Sequence, residues 1–209
     1  NGNRGNMYIN REKPKFAVVG AGFAGAVIAR SIADNLREKV LVVDRRPHVA
    51  GNCYTERDPH SGVLIHTYGP HIFHTSCERV WRYVTKFGEF VPFRHRVKAT
   101  TDRGVFSLPI NLHTINQFFG TAFGPDEARR FIQKRSIGSV EAAKNFTELA
   151  LALVGSEVYE EFLHGYTLKQ WGCQPELLPA SILKRFCIRF NYNDEYYDDS
   201  YQALPQIGR

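Results

Sequence analysis

The sequence predicts an α/β fold, with a strand, a helix and a second strand near the N-terminus and a mainly helical region further along the chain. Two short apolar runs, FAVV at 16–19 and VLVVD at 40–44, flank an alanine-rich segment. This order is typical of a β-α-β unit. With 209 residues, the chain is long enough for one large domain or two small ones.

The composition is that of a globular protein, with 43% apolar, 23% charged and 13% aromatic residues. The net charge of +6 favours anionic partners but does not identify the anion. The longest apolar stretch, 16–29, is broken by glycines and is too short to cross a bilayer. The first 15 residues lack the apolar region of a signal peptide, so we expect a cytoplasmic protein.

The remaining elements follow from apolar spacing and from helix and turn signals. We expect a helix at 76–87 and a β-hairpin over 93–110 that turns at Thr-Asp-Arg-Gly. Residues 111–165 carry repeated helix starts and stops, the last stop being before Gly165. A Pro-bounded helix is expected over PASILKRF at 179–186, and an extended segment after it. The four cysteines contain no C-x-x-C pair, so no zinc knuckle or redox dithiol is indicated.

A glycine motif lies between the first strand and the first helix. Gly20, Gly22 and Gly25 form G-x-G-x-x-G, which makes a tight turn, admits a pyrophosphate to the backbone and lets the helix pack on the strand. Asp44 ends the second strand, where a ribose-binding carboxylate is expected. The pattern predicts a Rossmann-like dinucleotide site, the alternative being a purely structural glycine turn.

The residues after Asp44 distinguish between NAD and FAD, which share the glycine motif. They read DRRPHVAGN at 44–52, which resembles the extended flavin fingerprint of an acid, an arginine and a Gly-Gly pair. Ala50 stands where the first glycine of that pair is expected. The resemblance predicts FAD, and the expected contacts from this segment and from the later loop are Gly20, Gly22, Phe23, Ala24, Gly25, Asp44, Arg45, Gly51, Asn52, Gly69, Pro70 and Ile72.

Five longer strings carry a more specific resemblance. They are YGPHIFHT at 68–75, FSLPINLHTINQFF at 106–119, GYTLKQWG at 165–172, LPASILKR at 178–185 and RFNYNDEYY at 189–197. In this order, and together with the flavin motif, the chain resembles the bacterial type of UDP-galactopyranose mutase over nearly its whole length after residue 15.

The resemblance implies a flavin-dependent isomerase that interconverts UDP-galactopyranose and UDP-galactofuranose and supplies furanose for cell-surface glycans. In that family the flavin is reduced, and its N5 atom forms an adduct with the anomeric carbon as UDP leaves. The cofactor then carries the chemistry, while the protein supplies position and charge. The oligomeric state is left open, with a homo-oligomer as one alternative.

The resemblance also assigns roles to individual residues. It places His71 and His74 in a histidine loop against the flavin, Phe162 and Tyr166 around the uracil, Thr167 and Trp171 along the ribose and diphosphate, and Arg185 and Tyr196 at the diphosphate. His95 stands where an asparagine facing the sugar is expected. Ordinary core aromatics, a solvated arginine and polar loop histidines are the alternatives. A metal site that includes His66 is disfavoured because no acid lies beside these histidines.

Together these arguments predict a fold of class α/β, a Rossmann-like FAD-binding domain with a helical substrate lobe and part of an antiparallel sheet. The predicted divisions are the FAD domain at 15–90, a sheet portion of the substrate domain at 91–110, a helical UDP-sugar lobe at 111–188 and an incomplete return to the sheet at 189–209.

Two other functions share part of this pattern. An amine-oxidase-like FAD oxidoreductase would share the first part of the chain but not GYTLKQWG, and a non-catalytic nucleotide-binding module would explain the basic charge. Nucleic acid is not expected, because the basic residues are dispersed and no RNA-binding aromatic motif is present. By resemblance, the family draws further diphosphate contacts from a later part of the chain, so we expect residues 1–209 alone to be inactive.

Overall fold

The computed structural model describes residues 13–185 and 188–206, with the side chains of residues 184 and 185 outside the description. In chain order the elements are β1 (Phe16–Val19), α1 (Phe23–Leu36), β2 (Val40–Val43), β3 (Thr55–Arg57), β4 (Leu64–His66), β5 (Phe73–Thr75), α2 (Glu78–Val84), β6 (Phe90–Pro92), β7 (Val97–Thr101), β8 (Gly104–Leu108), α3 (Leu112–Phe119), α4 (Pro125–Gln133), α5 (Phe146–Val158), α6 (Gly165–Trp171) and β9 (Tyr201–Pro205). They form two compact units, the first comprising 13–93 with 203–206 and the second 94–202.

The first unit begins with the predicted β-α-β arrangement. Strands β1 and β2 are parallel, with Phe16 opposite Val40 and Val19 opposite Val43, and α1 connects them. Strands β3 and β4 form a short antiparallel pair. A three-stranded sheet has the order β5-β9-β6, in which β9 runs antiparallel to β6. The α/β prediction, including the Rossmann-like start and the antiparallel part, is therefore confirmed.

The second unit contains most of the buried core. Its hairpin, β7 and β8, pairs Thr101 with Gly104, so the turn is Asp102 and Arg103 as the sequence predicts. Helix α3 starts at Asn111, a fully buried N-cap whose Oδ1 accepts a hydrogen bond from the Thr114 backbone N–H at 3.0 Å. The core side chains shared by the hairpin and the helices include Phe106, Leu112, Ile115, Phe118, Phe146, Val158 and Phe162.

The helix expected to stop before Gly165 does not stop there. Helix α5 is interrupted at Gly155, which has φ 75° and ψ 173°, and the chain then continues as a π-helical segment, Tyr159–His164, directly into α6. Gly165 has the helical values φ −61° and ψ −39°, so its missing side chain is not used to end the helix. The left-handed end is at Gly172, with φ 66°.

Two further segments differ from expectation. The segment predicted as a Pro-bounded helix forms a 3-10 helix, Ala180–Arg185. The segment predicted as extended is irregular over 188–200, with a single bridge between Arg96 and Glu195, and only β9 is a strand. Helix α2 lies within the predicted 76–87 range but is shorter. Across the described ranges, no helix is both long and apolar enough to span a membrane.

Candidate functional site

The glycine loop of the first unit is built for close backbone approach. Gly20 has φ +105°, and its N–H donates to the Val43 carbonyl at 2.7 Å, which ties the loop to β2. A Cβ on Gly25 would lie 1.8 Å from the Gly20 carbonyl oxygen, so only glycine fits where α1 crosses the loop. Gly22 is the N-cap of α1, and as a glycine it has no side chain to accept a hydrogen bond from the first N–H groups of the helix.

The segment after β2 completes this site. The Asp44 carboxylate accepts hydrogen bonds from the Ala21 N–H at 2.7 Å and from the Arg46 N–H at 2.9 Å. The bond from Ala21, and to a smaller extent the bond from Arg46, lowers the pKa of Asp44. This exposed acid is therefore ionised at neutral pH. The Ala50 N–H donates to the Ala21 carbonyl at 2.8 Å, which fixes the segment against the glycine loop.

Two glycines face each other across the site. A Cβ on Gly51 would lie 3.1 Å from the Gly22 Cα, whereas a Cβ on Gly22 would meet only the Gly51 Cα at 3.8 Å. Ala50 has φ 72°, so it keeps a left-handed conformation that suits glycine. This surface without side chains, at a helix N-terminus and beside a strand-ending carboxylate, fits the pyrophosphate and ribose of a dinucleotide.

The other predicted cofactor residues lie on nearby segments of the same unit. Arg45 and Asn52 are exposed, with Asn52 in the 3-10 turn Gly51–Cys53, and Phe23 and Ala24 are in the first turn of α1. Gly69, with φ +95°, Pro70 and Ile72 lie between β4 and β5. The half-buried His71 ring contacts the Gly69 carbonyl through Nδ1 at 2.8 Å, and His74 is on β5.

The second unit contains a cavity of about 300 Å³ that brings four predicted substrate residues together. They are His95, Phe162, Tyr166 and Tyr196. Tyr197 also lines the cavity, and the remaining walls are apolar: Val97, Leu108, Pro109, Ile110, Leu153, Val154, Leu163, Leu183 and Ile188. The result is a largely apolar pocket with aromatic and hydroxyl groups on one side.

The aromatic side of the cavity is held by a loop that packs on the hairpin. The Tyr196 N–H donates to the His95 carbonyl at 2.7 Å, and the two rings meet edge to face at 5.5 Å. The His95 ring also stacks on Tyr197 at 5.9 Å. Burial raises the pKa of Tyr196, and the nearby Tyr166 and Tyr197 hydroxyls raise it further, so the phenol is neutral and can donate a hydrogen bond.

Arg189, which the sequence argument did not single out, anchors this loop. Its side chain is buried, and the guanidinium donates to the Glu195 carbonyl and to the Asp198 carboxylate, the latter at 2.5 Å. Arg96 adds an ion pair with Asp194 at 2.8 Å. The alternation of Asn, Asp and Tyr at 191–199 is a signal of such a loop, because short polar side chains bond nearby backbone.

The π-helical segment and α6 carry the other predicted residues. Phe162 is buried on the π segment, and Tyr166 and Trp171 are on α6, each 48% exposed. Both residues are therefore helical, beyond the stop that the sequence predicted before Gly165. Trp171 does not line the cavity, as far as the described residues define its wall. The backbone of Arg185 ends the 3-10 helix, and its side chain lies outside the described residues.

Thr167 is the most unusual of these residues. Its side chain is 1% exposed, and its Oγ1 has no hydrogen-bond partner among the described residues. A buried hydroxyl without a partner is rare in proteins. Thr167 does not line the cavity, as far as the described residues define its wall. In residues 13–185 and 188–206, no group of three or more His, Cys, Asp or Glu side chains is arranged to hold a metal ion.

Two family models match separate parts of the chain. Residues 18–87 match the family model of an NAD(P)-binding Rossmann-like domain, and residues 161–209 match that of UDP-galactopyranose mutase. A probable UDP-galactopyranose mutase of Klebsiella pneumoniae is 52% identical over 191 residues, which are 91% of this chain and 50% of the relative. Over most of its own length, the chain is therefore similar to UDP-galactopyranose mutases. It spans about half the length of the curated relatives that it matches.

A second relative is named for a different nucleotide sugar, and one solved structure shares the fold. A dTDP-fucopyranose mutase of Escherichia coli is 46% identical over 194 residues, covering 93% of this chain and 51% of the relative. A crystal structure of reduced UDP-galactopyranose mutase superposes with a TM-score of 0.63 at 16% identity, over 84% of this chain and 37% of that one. At this identity, the superposition supports the fold alone.

Proposed function

We propose that the chain is part of a flavin-dependent mutase that interconverts UDP-galactopyranose and UDP-galactofuranose. The observation that carries the proposal is the cavity that joins His95, Phe162, Tyr166 and Tyr196 in the second unit. These residues come from three separate parts of the chain, and each was assigned to the substrate from sequence resemblance. Their convergence on one pocket is what a nucleotide-sugar site requires.

The proposed cofactor is FAD, held by the glycine loop and by the segment after β2. Gly22 and Gly51 leave room for the pyrophosphate, and the Asp44 carboxylate is ionised and placed to accept from a ribose hydroxyl. The Asp-Arg pair and the following glycine favour FAD over NAD. We assign His71 and His74 to the flavin ring. When bound and reduced, the flavin supplies the nucleophile for the anomeric carbon.

The protein's own task at the second unit is to bind the nucleotide. Tyr166 and Phe162 offer flat aromatic faces for the uracil, and the aliphatic walls exclude water from it. The Tyr196 phenol and the Thr167 hydroxyl can donate to phosphate or ribose oxygens, which would satisfy the buried Thr167 oxygen. We assign Arg185 and Trp171 to the diphosphate and ribose, as the resemblance implies.

The test uses the full-length protein and three measurements. The visible spectrum after incubation with FAD or with NAD identifies the cofactor, and we expect a flavin spectrum and no competition by NAD. After reduction with dithionite, chromatography should detect exchange between the pyranose and furanose forms of UDP-galactose. dTDP-fucose is assayed in parallel, because relatives named for both sugars are similar to this chain. A protein that binds no flavin, or that converts neither sugar, would contradict the proposal.

UDP binding is tested separately by calorimetry. Tyr166→Ala and Arg185→Ala should each weaken UDP by roughly 1 to 3 kcal/mol, the scale of a lost stacking partner or charged hydrogen bond. Tyr192→Ala is the matched control, because Tyr192 is 68% exposed and does not line the cavity. Unchanged affinity in both site variants would place the nucleotide elsewhere.

A further inference from the structure

His48 is held on three sides within the first unit. Its Nδ1 contacts the Val49 carbonyl at 2.8 Å, and its Nε2 contacts the Tyr68 hydroxyl at 2.8 Å. Its ring also stacks on Tyr54, with centroids 3.9 Å apart and an angle of 15° between the planes. Tyr68 in turn lies under the Arg46 guanidinium, 4.2 Å from the ring centroid. A half-buried histidine with this many contacts has a fixed ring orientation.

One tautomer of His48 satisfies both hydrogen bonds. Because the Val49 carbonyl can only accept, Nδ1 carries the proton. In the neutral ring, Nε2 then accepts from the Tyr68 O–H. The two bonded side chains are 20 residues apart in the sequence, so the contact joins two segments and does not simply stabilise one turn.

These two segments both belong to the candidate cofactor site. His48 lies between Asp44 and Gly51, which approach the glycine loop, and Arg46 donates its backbone N–H to Asp44. Tyr68 immediately precedes Gly69, whose carbonyl contacts the His71 ring at 2.8 Å. A continuous path of contacts therefore runs from the Asp44 carboxylate to His71.

We infer that His48 is a positioning residue: through its bond to Tyr68, it fastens the loop 67–72 to the dinucleotide-binding segment and so sets the placement of His71. The identity of the cofactor rests on the proposed function, whereas the attachment of the loop 67–72 through His48 and Tyr68 does not. Loss of the bond loosens the loop 67–72, which the Thr67 N–H still ties to the Tyr54 carbonyl at 3.3 Å, and, when flavin is bound, changes the environment of the ring that we assign to His71.

The test compares four variants of the full-length protein. His48→Leu removes both ring hydrogen bonds, whereas Tyr68→Phe removes only the hydroxyl and keeps the ring beneath Arg46. The double variant combines them. His60→Leu is the matched control, because His60 is exposed and its described hydrogen bond is made by the backbone N–H to Asp58.

Amide hydrogen exchange without cofactor is the first readout. The backbone N–H groups of residues 67–69, 71 and 72 should exchange roughly 3- to 10-fold faster in His48→Leu and Tyr68→Phe, the scale of one lost hydrogen bond. Exchange in the double variant should exceed that in either single variant by no more than about twofold. The inference would be overturned by unchanged exchange rates in Tyr68→Phe, or by an equal rise in His60→Leu. It would also be overturned if the rise in the double variant equalled the product of the rises in the two single variants.

The second readout is the bound flavin. Both single variants should shift the visible flavin spectrum and weaken flavin binding, while UDP affinity stays at the wild-type value because the nucleotide cavity lies in the second unit. Altered exchange with an unchanged flavin spectrum would overturn the placement of His71. A wild-type protein without flavin would contradict the proposed function, and the exchange result alone would then decide the fastening role.

Discussion

The Cβ position of Gly25 lies 1.8 Å from the carbonyl oxygen of Gly20, while that of Gly22 meets only ordinary contact with Gly51 at 3.8 Å. Gly25→Ala should therefore destabilise the first unit by about 3 kcal/mol, because backbone must move. Gly22→Ala should cost no more than about 1 kcal/mol, the scale of an unfavourable N-cap residue, yet weaken dinucleotide binding, since its methyl group stands where the pyrophosphate approaches. Chemical unfolding and cofactor titration separate the two effects. Equal loss of stability in both variants would contradict this division.

The left-handed conformation of Ala50, φ 72°, makes a second prediction. This conformation costs a residue with a side chain roughly 1 to 2 kcal/mol of folding free energy. Replacement by glycine recovers only part of that free energy, because glycine has more conformational freedom in the unfolded chain. Ala50→Gly should raise the free energy of unfolding by about 0.5 to 1 kcal/mol. Ala29→Gly, within α1, is the control and should lower it by about 1 kcal/mol. A destabilised Ala50→Gly would show that the residue is not strained.

The buried Thr167 hydroxyl predicts a conflict between stability and binding. Because Oγ1 has no partner in the part of the chain that the structure describes, Thr167→Val should stabilise the ligand-free protein by about 1 kcal/mol. The same change should weaken UDP by about 1 to 2 kcal/mol. Thr167→Ser keeps the hydroxyl and should retain the affinity for UDP. Thermal unfolding and calorimetry measure both effects, and a less stable Thr167→Val would mean that the hydroxyl is already bonded.

Tyr196 predicts how stability changes at alkaline pH. Burial raises the pKa of this phenol in the folded state, so the folded protein holds the proton more tightly than the unfolded chain does. The resulting stability is fully present below about pH 10, the ordinary tyrosine value, and is lost as pH rises through the folded pKa. Tyr196→Phe should make the decline between pH 9 and 11, roughly the range around that value, shallower. Guanidinium unfolding across this range is the measurement, with the exposed Tyr192→Phe as the control expected to follow wild type.

Much of the first unit could be predicted because its signals are local. The apolar runs at 16–19 and 40–43, the three glycines and Asp44 each determine a nearby backbone conformation, and the structure places them as expected. The Asp102-Arg103 turn of the hairpin is equally local. Neither the hydrogen bond of His48 to Tyr68 nor the pairing of β9 with β6 was predicted, because both depend on residues distant in the sequence.

The helical part was harder to predict because glycine interrupts a helix at one position there and continues it at another. Gly155 interrupts α5 in a conformation that only glycine adopts easily, whereas Gly165 is an ordinary helical residue. Composition alone cannot tell them apart. What requires Gly155 is a tertiary contact, since a Cβ there would lie 2.6 Å from the Arg135 carbonyl oxygen. The convergence of Phe162, Tyr166 and Tyr196 on one cavity was expected only through the family resemblance.

The π-helical segment Tyr159–His164 makes this part of the chain sensitive to length. A π turn holds one residue more than an α turn, so deleting Glu160 would let the segment relax to an α-helix while α6 keeps its rotation about the helix axis. An inserted residue would instead advance the chain by about 100° in α-helical geometry, and α6 would rotate by that angle relative to α5. Thr167 would then leave the interior and Tyr166 would leave the cavity wall. The segment should therefore tolerate the loss of one residue better than the gain of one, which would turn the nucleotide-binding face away from its pocket.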